Sequence, residues 1–595
     1  MIEVSRRARM RPCATASGWT AGAPANVSAA LVVIVVVPLA LLQVPNLIAL
    51  AVPGMRAIGS VSRSEPELVR AAGLALPAML LAAPTAALAA RRARAWPVLL
   101  VGLTMLGLAD VGANLPAPGA HMVRAVAVDR AAHGLGAGTA LAGCLALVWE
   151  RPGLARRMLA CLWSAAAVAT LMVSVPLIGS RVAAGGWRAA LQPYPWLTGA
   201  ALAATAAHVA LTGSTRGAIA GGRAGATLSG PVRAMSGGRA GATPSGHRRA
   251  VTAAERAQFA LLAVPAAGTS ALAVGSTYGW PPSAQLAAGS IVAVLLTLLA
   301  ATLTRDPAVG CSPNLAVAAL AVGLVIGPSA GVAQGLHWLM VDPGTTANGA
   351  GGWSLAATIA TAAAAGCGAF IAGKVSGVAA AATCSAPPSA PWSVPWSVPW
   401  SVPWSVPCSV ARRRGTDGPR RRGTNGPGGG IGALPAQGMR RCCARVEDLA
   451  VATGLDIVAA GLLVARICGS PAPPGLEVAQ LALVAAGAAL ALGAALAGAS
   501  ASASLAALPV GLAGVMTGYL VAGALQIRLL AGLAGATALG QEGRGWPAAA
   551  PVRGTLAHAA DTWELVAAGA AVLAAITVLL AARACRGGTV APSAG

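Results

Sequence analysis

Charge is what this chain has least of. Of its 595 residues only 10% are Asp, Glu, Lys or Arg, 56% are hydrophobic, and mean hydropathy is +0.71. Soluble domains carry about 25% charged residues. A string of water-soluble domains, which the length alone allows, is thereby excluded. Apolar and polar residues do not alternate; the apolar runs are continuous, which excludes a transmembrane β-barrel. There is no Gly-x-x-x-x-Gly-Lys-Ser/Thr phosphate loop, which argues against ATP-driven work by this chain. A nucleophile elbow, a His-Glu-x-x-His helix and paired carboxylates in one accessible segment are also missing, so no enzyme activity is expected. The eleven cysteines lack metal-ligand spacing, and neither a metal nor a cofactor is expected. Cys144, Cys161, Cys367 and Cys468 sit in apolar runs, where cysteine acts as a small hydrophobe. Cys442 and Cys443 are adjacent in a basic loop and read as an inert pair, a redox or lipidated pair being the alternative. Phe and Tyr number only 2 and 3. Alanine and glycine dominate, as in proteins of GC-rich bacterial genomes.

What the chain does have is apolar runs of about 20 residues, the length that crosses a hydrocarbon core of roughly 30 Å. Without water to satisfy backbone polar groups, such runs must be helical. They fall near 28–52, 68–90, 96–114, 124–148, 158–179 and 192–212, then 257–277 and 284–304, then 314–340, 353–373, 449–468, 476–498, 506–535 and 562–583. The expected fold is an all-α polytopic membrane protein of about 14 transmembrane helices, two six-helix bundles with two central helices between them. The net charge of +24 sits mostly in alternate loops, the positive-inside pattern, which puts both termini in the cytoplasm of a bacterial inner membrane. The first run is long for a signal-peptide core and no cleavage site follows it. The lipid bilayer is the expected partner. No interleaving of aromatic and basic residues supports nucleic-acid binding, and a monomer is expected.

The segments between these runs complete the layout. Residues 1–27 form a basic tail, 28–212 the first bundle, 213–256 a Gly/Arg-rich loop and 257–304 the central pair. Residues 305–375 and 449–583 form the second bundle, interrupted by a repeat loop at 376–448, and 584–595 the closing tail. The first loop repeats GGRAGAT from Gly221 and Gly237; the second repeats Pro-Trp-Ser-Val from Pro391, then RRRGTDGP and RRRGTNGP from Arg412 and Arg420. Proline at every fourth position forbids a regular helix, and glycine with arginine keeps the remainder solvated. Tandem duplication accounts for this segment; tryptophans and arginines on anionic lipid are the functional alternative.

The fourth run holds the most informative chemistry. Asp129 and Arg130 lie in or beside apolar sequence, where a charge is costly and therefore a functional candidate; the alternative is anchorage at the head groups. His133 follows Arg130 by three residues and Asp129 by four, so it shares a helix face with either. Gly134 and Gly138 form a small-xxx-small pair that permits close helix approach. Asp110 in the third run is a further buried candidate. Asp456, His337 and Arg528 read more readily as rim or satisfied groups.

This stretch resembles the major facilitator superfamily of secondary transporters, and more narrowly its fourteen-span drug:proton antiporter branch. The family's fourth-helix pattern Arg-x-x-Gln-Gly-x-Gly-Ala appears as Arg130-Ala-Ala-His133-Gly134-Leu-Gly136-Ala137. The exporter branch's Gly-Pro-x-x-Gly-Gly appears as Val175-Pro176-Leu-Ile-Gly179-Ser180, followed by Gly186-Trp187-Arg188 and Pro195. The loop after the second run resembles the family's gating loop, keeping the basic Arg91 and Arg94, with Arg92 between them, but replacing its acid and both glycines with alanine. In the first run the family's embedded aspartate is absent from Gln43-Val44-Pro45-Asn46. The resemblance implies alternating access, with proton coupling at Arg130; from the buried charges themselves, protonation of Asp129 or Asp110, modulated by Arg130 and His133, is expected to couple proton entry to substrate release. The resemblance also implies helix packing and bending at Gly134, Gly136, Gly138, Pro176 and Gly179. The expected function is proton-coupled export of small organic, apolar or weakly cationic molecules. Two alternatives remain: a transport-inactive membrane protein binding partners through its loops, and a membrane-embedded enzyme acting on lipid.

Overall fold

A computed structural model describes residues 23–42, 65–113, 122–185, 194–226, 253–303, 314–326, 349–385, 434–467, 474–499, 504–538 and 549–587. These residues are helical apart from short turns, with no strand among them. In chain order the helices are α1 (Ala23–Leu42), α2 (Glu65–Ala72), α3 (Ala75–Arg92), α4 (Ala95–Ala113), α5 (Met122–Trp149), α6 (Gly153–Gly185) and α7 (Pro195–Ala226). Then come α8 (Ala253–Thr277), α9 (Pro282–Leu303), α10 (Asn314–Ile326), α11 (Gly349–Ser385), α12 (Leu434–Ile467), α13 (Pro474–Gly498), α14 (Ser504–Ala538) and α15 (Ala549–Gly587). The described part of every expected run falls on a helix, residues 43–52 and 327–340 lying outside the described residues. Ten are long and apolar enough to cross a membrane, and α4, α7 and α10 carry shorter apolar stretches. The second run is broken at Gly73–Leu74 into α2 and α3. The segments expected as loops at 213–256 and 376–448 both begin and end in helix, because α7 and α8 extend into the first and α11 and α12 into the second.

Two halves emerge from the packing. In the first, α5 lies between α3 and α4, α1 packs on α5, α6 and α7, and α7 packs on α4. The second repeats this with α13 between α11 and α12, and with α15 on α12. Across the seam, α6 meets α11 and α13, and α14 meets α3 and α5. Exchanging each helix for its counterpart (α3 for α11, α5 for α13, α6 for α14) converts one set of cross-seam contacts into the other. That is the signature of a repeat architecture. The central pair is not a free linker. α8 packs on both α3 and α14, and α9 on α14. Buried hydroxyls fix it: Thr269 Oγ1 meets Thr517 Oγ1 at 2.9 Å, and Ser270 Oγ donates to the Pro77 carbonyl at 3.2 Å.

Small residues set these distances. In lipid the hydrophobic effect does not drive helices together, so close backbone packing must. A Cβ at Gly134 would overlap the Ala75 carbonyl, and one at Gly138 the Met79 carbonyl, both on α3. On the other face of α5, a Cβ at Gly136 would come within 2.9 Å of Leu106 N and 3.0 Å of the Gly102 carbonyl on α4. The second half has the counterpart: a Cβ at Gly454 would come within 2.7 Å of the Gly487 carbonyl, and one at Gly487 within 2.5 Å of the Gly454 carbonyl. Gly134→Ala should therefore destabilise the protein by about 1–3 kcal/mol through overpacking. Gly199→Ala, where a Cβ meets nothing within 4 Å, should be neutral or slightly stabilising. Thermal unfolding in detergent measures both, and equal effects would contradict the packing account.

Candidate functional site

Three helices of the first half bring the expected ionisable residues together. Asp110 near the end of α4 is buried, as are Arg130 and His133 on α5, at 3% and 2% exposure. Asp129 is half-buried, beside a widely exposed Val128 that faces the surroundings of the bundle. The charges of both aspartates act on Arg130. Thr198 of α7 donates to Asp110 Oδ2 at 2.6 Å. Asp129 Oδ1 and His133 Nε2 are buried without a hydrogen-bond partner. A polar atom left so is costly, and in a membrane a buried ionisable group is a functional candidate. Thr198 is the member sequence reasoning did not single out. A threonine in an apolar helix usually bonds its own helix, and this one also contacts the Tyr194 carbonyl at 3.4 Å.

The remaining expected residues are dispersed. Gly134, Gly136 and Gly138 form the α5 packing faces already described. The backbone of α6 stays helical through Pro176 and Gly179 to Gly185, so no break marks the expected bend; those two side chains lie outside the described residues. Arg91 and Arg92 end α3 and only residues 93–94 separate it from α4, so the expected gating loop is a two-residue corner. Arg91, Arg92 and Arg94 are exposed. Asp456 is exposed on α12, while His337 and the side chain of Arg528 lie outside the described residues.

Polar contacts concentrate at the basic end of the bundles. Glu150 Oε1 accepts the Ala95 amide at 3.0 Å, capping α4. His208 Nε2 meets Arg151 Nη2 and His208 Nδ1 meets Ser28 Oγ, both at 2.8 Å, which ties α7 to α1 and to the α5–α6 turn. Arg157 Nη1 lies 3.2 Å from Glu447 Oε1 and also donates to the Ser376 carbonyl, so one guanidinium joins α6 of the first half to α11 and α12 of the second. Asn314 Nδ2 donates to Asp448 Oδ1, joining α10 to α12. Burial pushes the Glu447 carboxyl up, while Arg157 and, less strongly, Arg156 pull it down; Asp448 adds to the rise.

Between the halves lies an apolar cavity of about 30 Å³, walled by α1, α5, α6, α10, α13 and α14. A second, more open hollow of about 250 Å³ lies at the basic end, with Arg91, Trp149, Glu150 and Leu508 in its wall. Among the described residues no three His, Cys, Asp or Glu side chains are placed to hold a metal ion.

These features define a multi-pass α-helical membrane protein. No family model and no curated protein matches the chain. Among solved structures it is similar to a proton-dependent oligopeptide transporter, with TM-score 0.45 and 12% identity over 94% of this chain and 99% of that one. A human organic anion transporter, MFSD10, gives TM-score 0.45 and 12% identity over 93% and 98%. A peptide transporter in complex with sulfate gives 0.44 and 12% over 93% and 94%. The two-half arrangement above stands on the chain's own packing.

Two outcomes follow from this geometry. Thr198→Val should cost about 1–3 kcal/mol, because Asp110 loses a hydrogen-bond donor in a buried setting. Thr205→Val, whose hydroxyl only bonds its own helix at the Ala201 carbonyl, should cost much less; denaturant titration of the detergent-solubilised protein compares them. Arg157→Met should destabilise at neutral pH. Because Arg157 holds the Glu447 pKa down, its removal lets that pKa rise further. The charge-dependent part of the loss is then present while Glu447 is ionised and disappears as falling pH protonates it. A loss independent of pH would mean that the carbonyl bond to Ser376 is all Arg157 contributes.

Proposed function

We propose that this chain is a secondary active transporter of the major facilitator type that exports small organic molecules in exchange for protons. The observation that carries the reading is the exchange relation across the seam: two equivalent helix sets meet over an apolar cavity, the arrangement needed for alternating access. In this reading the basic end faces the cytoplasm of a bacterial inner membrane, and the fourteen-span antiporter branch is the nearest type. The halves part and close about the cavity. Arg157–Glu447 and the Arg157–Ser376 bond hold the cytoplasmic side shut. The aspartates beside Arg130 take up and release the coupling proton, and Arg130 adjusts how readily each does so. Arg91, Arg92 and Arg94 sit where the cytoplasmic mouth would open.

Proteoliposomes with an imposed pH gradient test the proposal. Each pH unit supplies about 1.4 kcal/mol per proton, so a one-for-one exchanger concentrates a neutral substrate up to about tenfold per unit. Wild-type protein should show gradient-dependent flux of apolar and weakly cationic dyes. Arg130→Ala and Asp129→Asn should each lower it by about tenfold or more, the scale on which losing one partner of a buried charge acts. Flux that ignores the gradient, with both variants behaving as wild type, would remove the proposal.

A further inference from the structure

The two halves correspond residue by residue where their central helices cross. A Cβ at Gly102 on α4 would meet the Ala140 amide nitrogen and the Gly136 carbonyl on α5; one at Gly454 on α12 would meet the Ala491 amide nitrogen and the Gly487 carbonyl on α13. In return, a Cβ at Gly136 would meet the Leu106 amide nitrogen and the Gly102 carbonyl, and one at Gly487 the Val458 amide nitrogen and the Gly454 carbonyl. Gly102, Leu106, Gly136 and Ala140 therefore have Gly454, Val458, Gly487 and Ala491 as counterparts. Counting back equally from Gly136 and Gly487 pairs Asp129 with Gln480, Arg130 with Leu481 and His133 with Val484. Counting forward equally from Gly102 and Gly454 pairs Asp110 with Leu462. At these positions the second half carries no ion and one polar residue, Gln480. Its carboxyl comes instead from α15, the counterpart of α7. Gln480 Nε2 donates to Glu564 Oε1 at 2.9 Å, as Thr198 of α7 donates to Asp110 Oδ2 in the first half.

Glu564 lies in the apolar stretch Thr562–Arg583, at the end away from Arg583. Its neighbour Trp563 is buried, Leu565 and Val566 are exposed, and Gln480 is 7% exposed. A carboxyl in such a stretch is costly and marks a candidate proton or ion site. Its partner suits a group that changes charge. The Gln480 amide donates through Nε2 to a carboxylate and, turned about its last bond, accepts through Oε1 from a carboxylic acid; an Arg or Lys serves the ionised form alone. The Thr198 hydroxyl gives Asp110 the same freedom. On the helices packed against α15, the titratable side chains described are Asp456, exposed on α12, Glu447 and Asp448 at the basic end of α12, and Tyr519 on α14; α15 itself adds Arg583 at its far end. The side chains of Arg466, Glu477, Arg528 and Asp561 lie outside the described residues. We propose that Glu564 is a second proton-carrying group, positioned by Gln480, so that each cycle moves two protons, one on each half. The proton adds to a Glu564 carboxylate oxygen from one side of the membrane and leaves it toward the other. The two-proton cycle rests on the transporter reading; the proton site does not.

Dicyclohexylcarbodiimide adds to protonated carboxyls in apolar surroundings and leaves a stable mass tag. With the full chain in lipid nanodiscs, the tag should appear on Glu564, and its yield should fall about tenfold or more between about pH 6 and about pH 8. Exposed Glu67 on α2 is the comparison carboxyl. In Glu564→Gln the side-chain amide oxygen still accepts from Gln480, so thermal unfolding should match wild type, which separates a lost charge from a lost bond. Stoichiometry is read in proteoliposomes with the membrane potential clamped at zero and a tenfold gradient of radiolabelled chloramphenicol, a neutral molecule. Net flux should reverse at a pH difference of about 0.5 in wild type and about 1 in Glu564→Gln, because two protons balance the gradient with half the pH difference that one needs. A Glu564 that stays untagged, or is tagged equally across the pH range, would overturn the inference. Reversal at about one unit in wild type would also overturn it, while leaving the transport reading intact. A pH-dependent tag in protein that shows no gradient-driven flux would uphold the proton site and remove the transport reading.

Discussion

In hydrocarbon a helix gains nothing by hiding a leucine from water, so what holds this chain together is how near one backbone can come to the next. That distance is set by glycine. On α5, Gly134 and Gly138 lie against carbonyls of α3, while Gly136 lies against α4. Both neighbours are thus drawn onto a single helix, and that helix also carries Asp129, Arg130 and His133. The ionisable cluster exists because the packing puts α4 and its Asp110 within reach of α5, with Thr198 added from α7. The same device at Gly454 and Gly487 builds the second half. The pairing of equivalent helices across the seam follows from having two similar units.

Against this apolar background each buried polar atom stands out. Some are satisfied within the chain, as at Ser270 and Thr517 where the central helices meet both halves. These bonds give α8 a structural place at the α3/α14 seam. Others are not satisfied, notably Asp129 Oδ1, His133 Nε2 and Trp163 Nε1. The first two belong to the charged cluster on α5; the third lies apart from it on α6.

Much of the architecture was legible in the amino-acid sequence because run length and composition are local properties. The described part of every expected run lies on a helix. The glycines of α5 were legible as well, since four-residue spacing on a helix is a local pattern. Long-range partners were not. Arg157 and Glu447 are 290 positions apart, and nothing near either residue names the other. Thr198 looked like any helix threonine until Asp110 was placed beside it. The break at Gly73–Leu74 was hidden in a run that is apolar on both sides.

In the proposed transport cycle the two halves move as units about the seam. Leu154 on α6 and Val446 on α12 are exposed, at 44% and 39%, and sit beside the Arg157–Glu447 contact. Spin labels at these two positions, read by pulsed electron resonance in nanodiscs, report the separation of the halves directly. The account predicts two distance populations whose balance shifts with pH; a single narrow distribution, unchanged across pH, would contradict it.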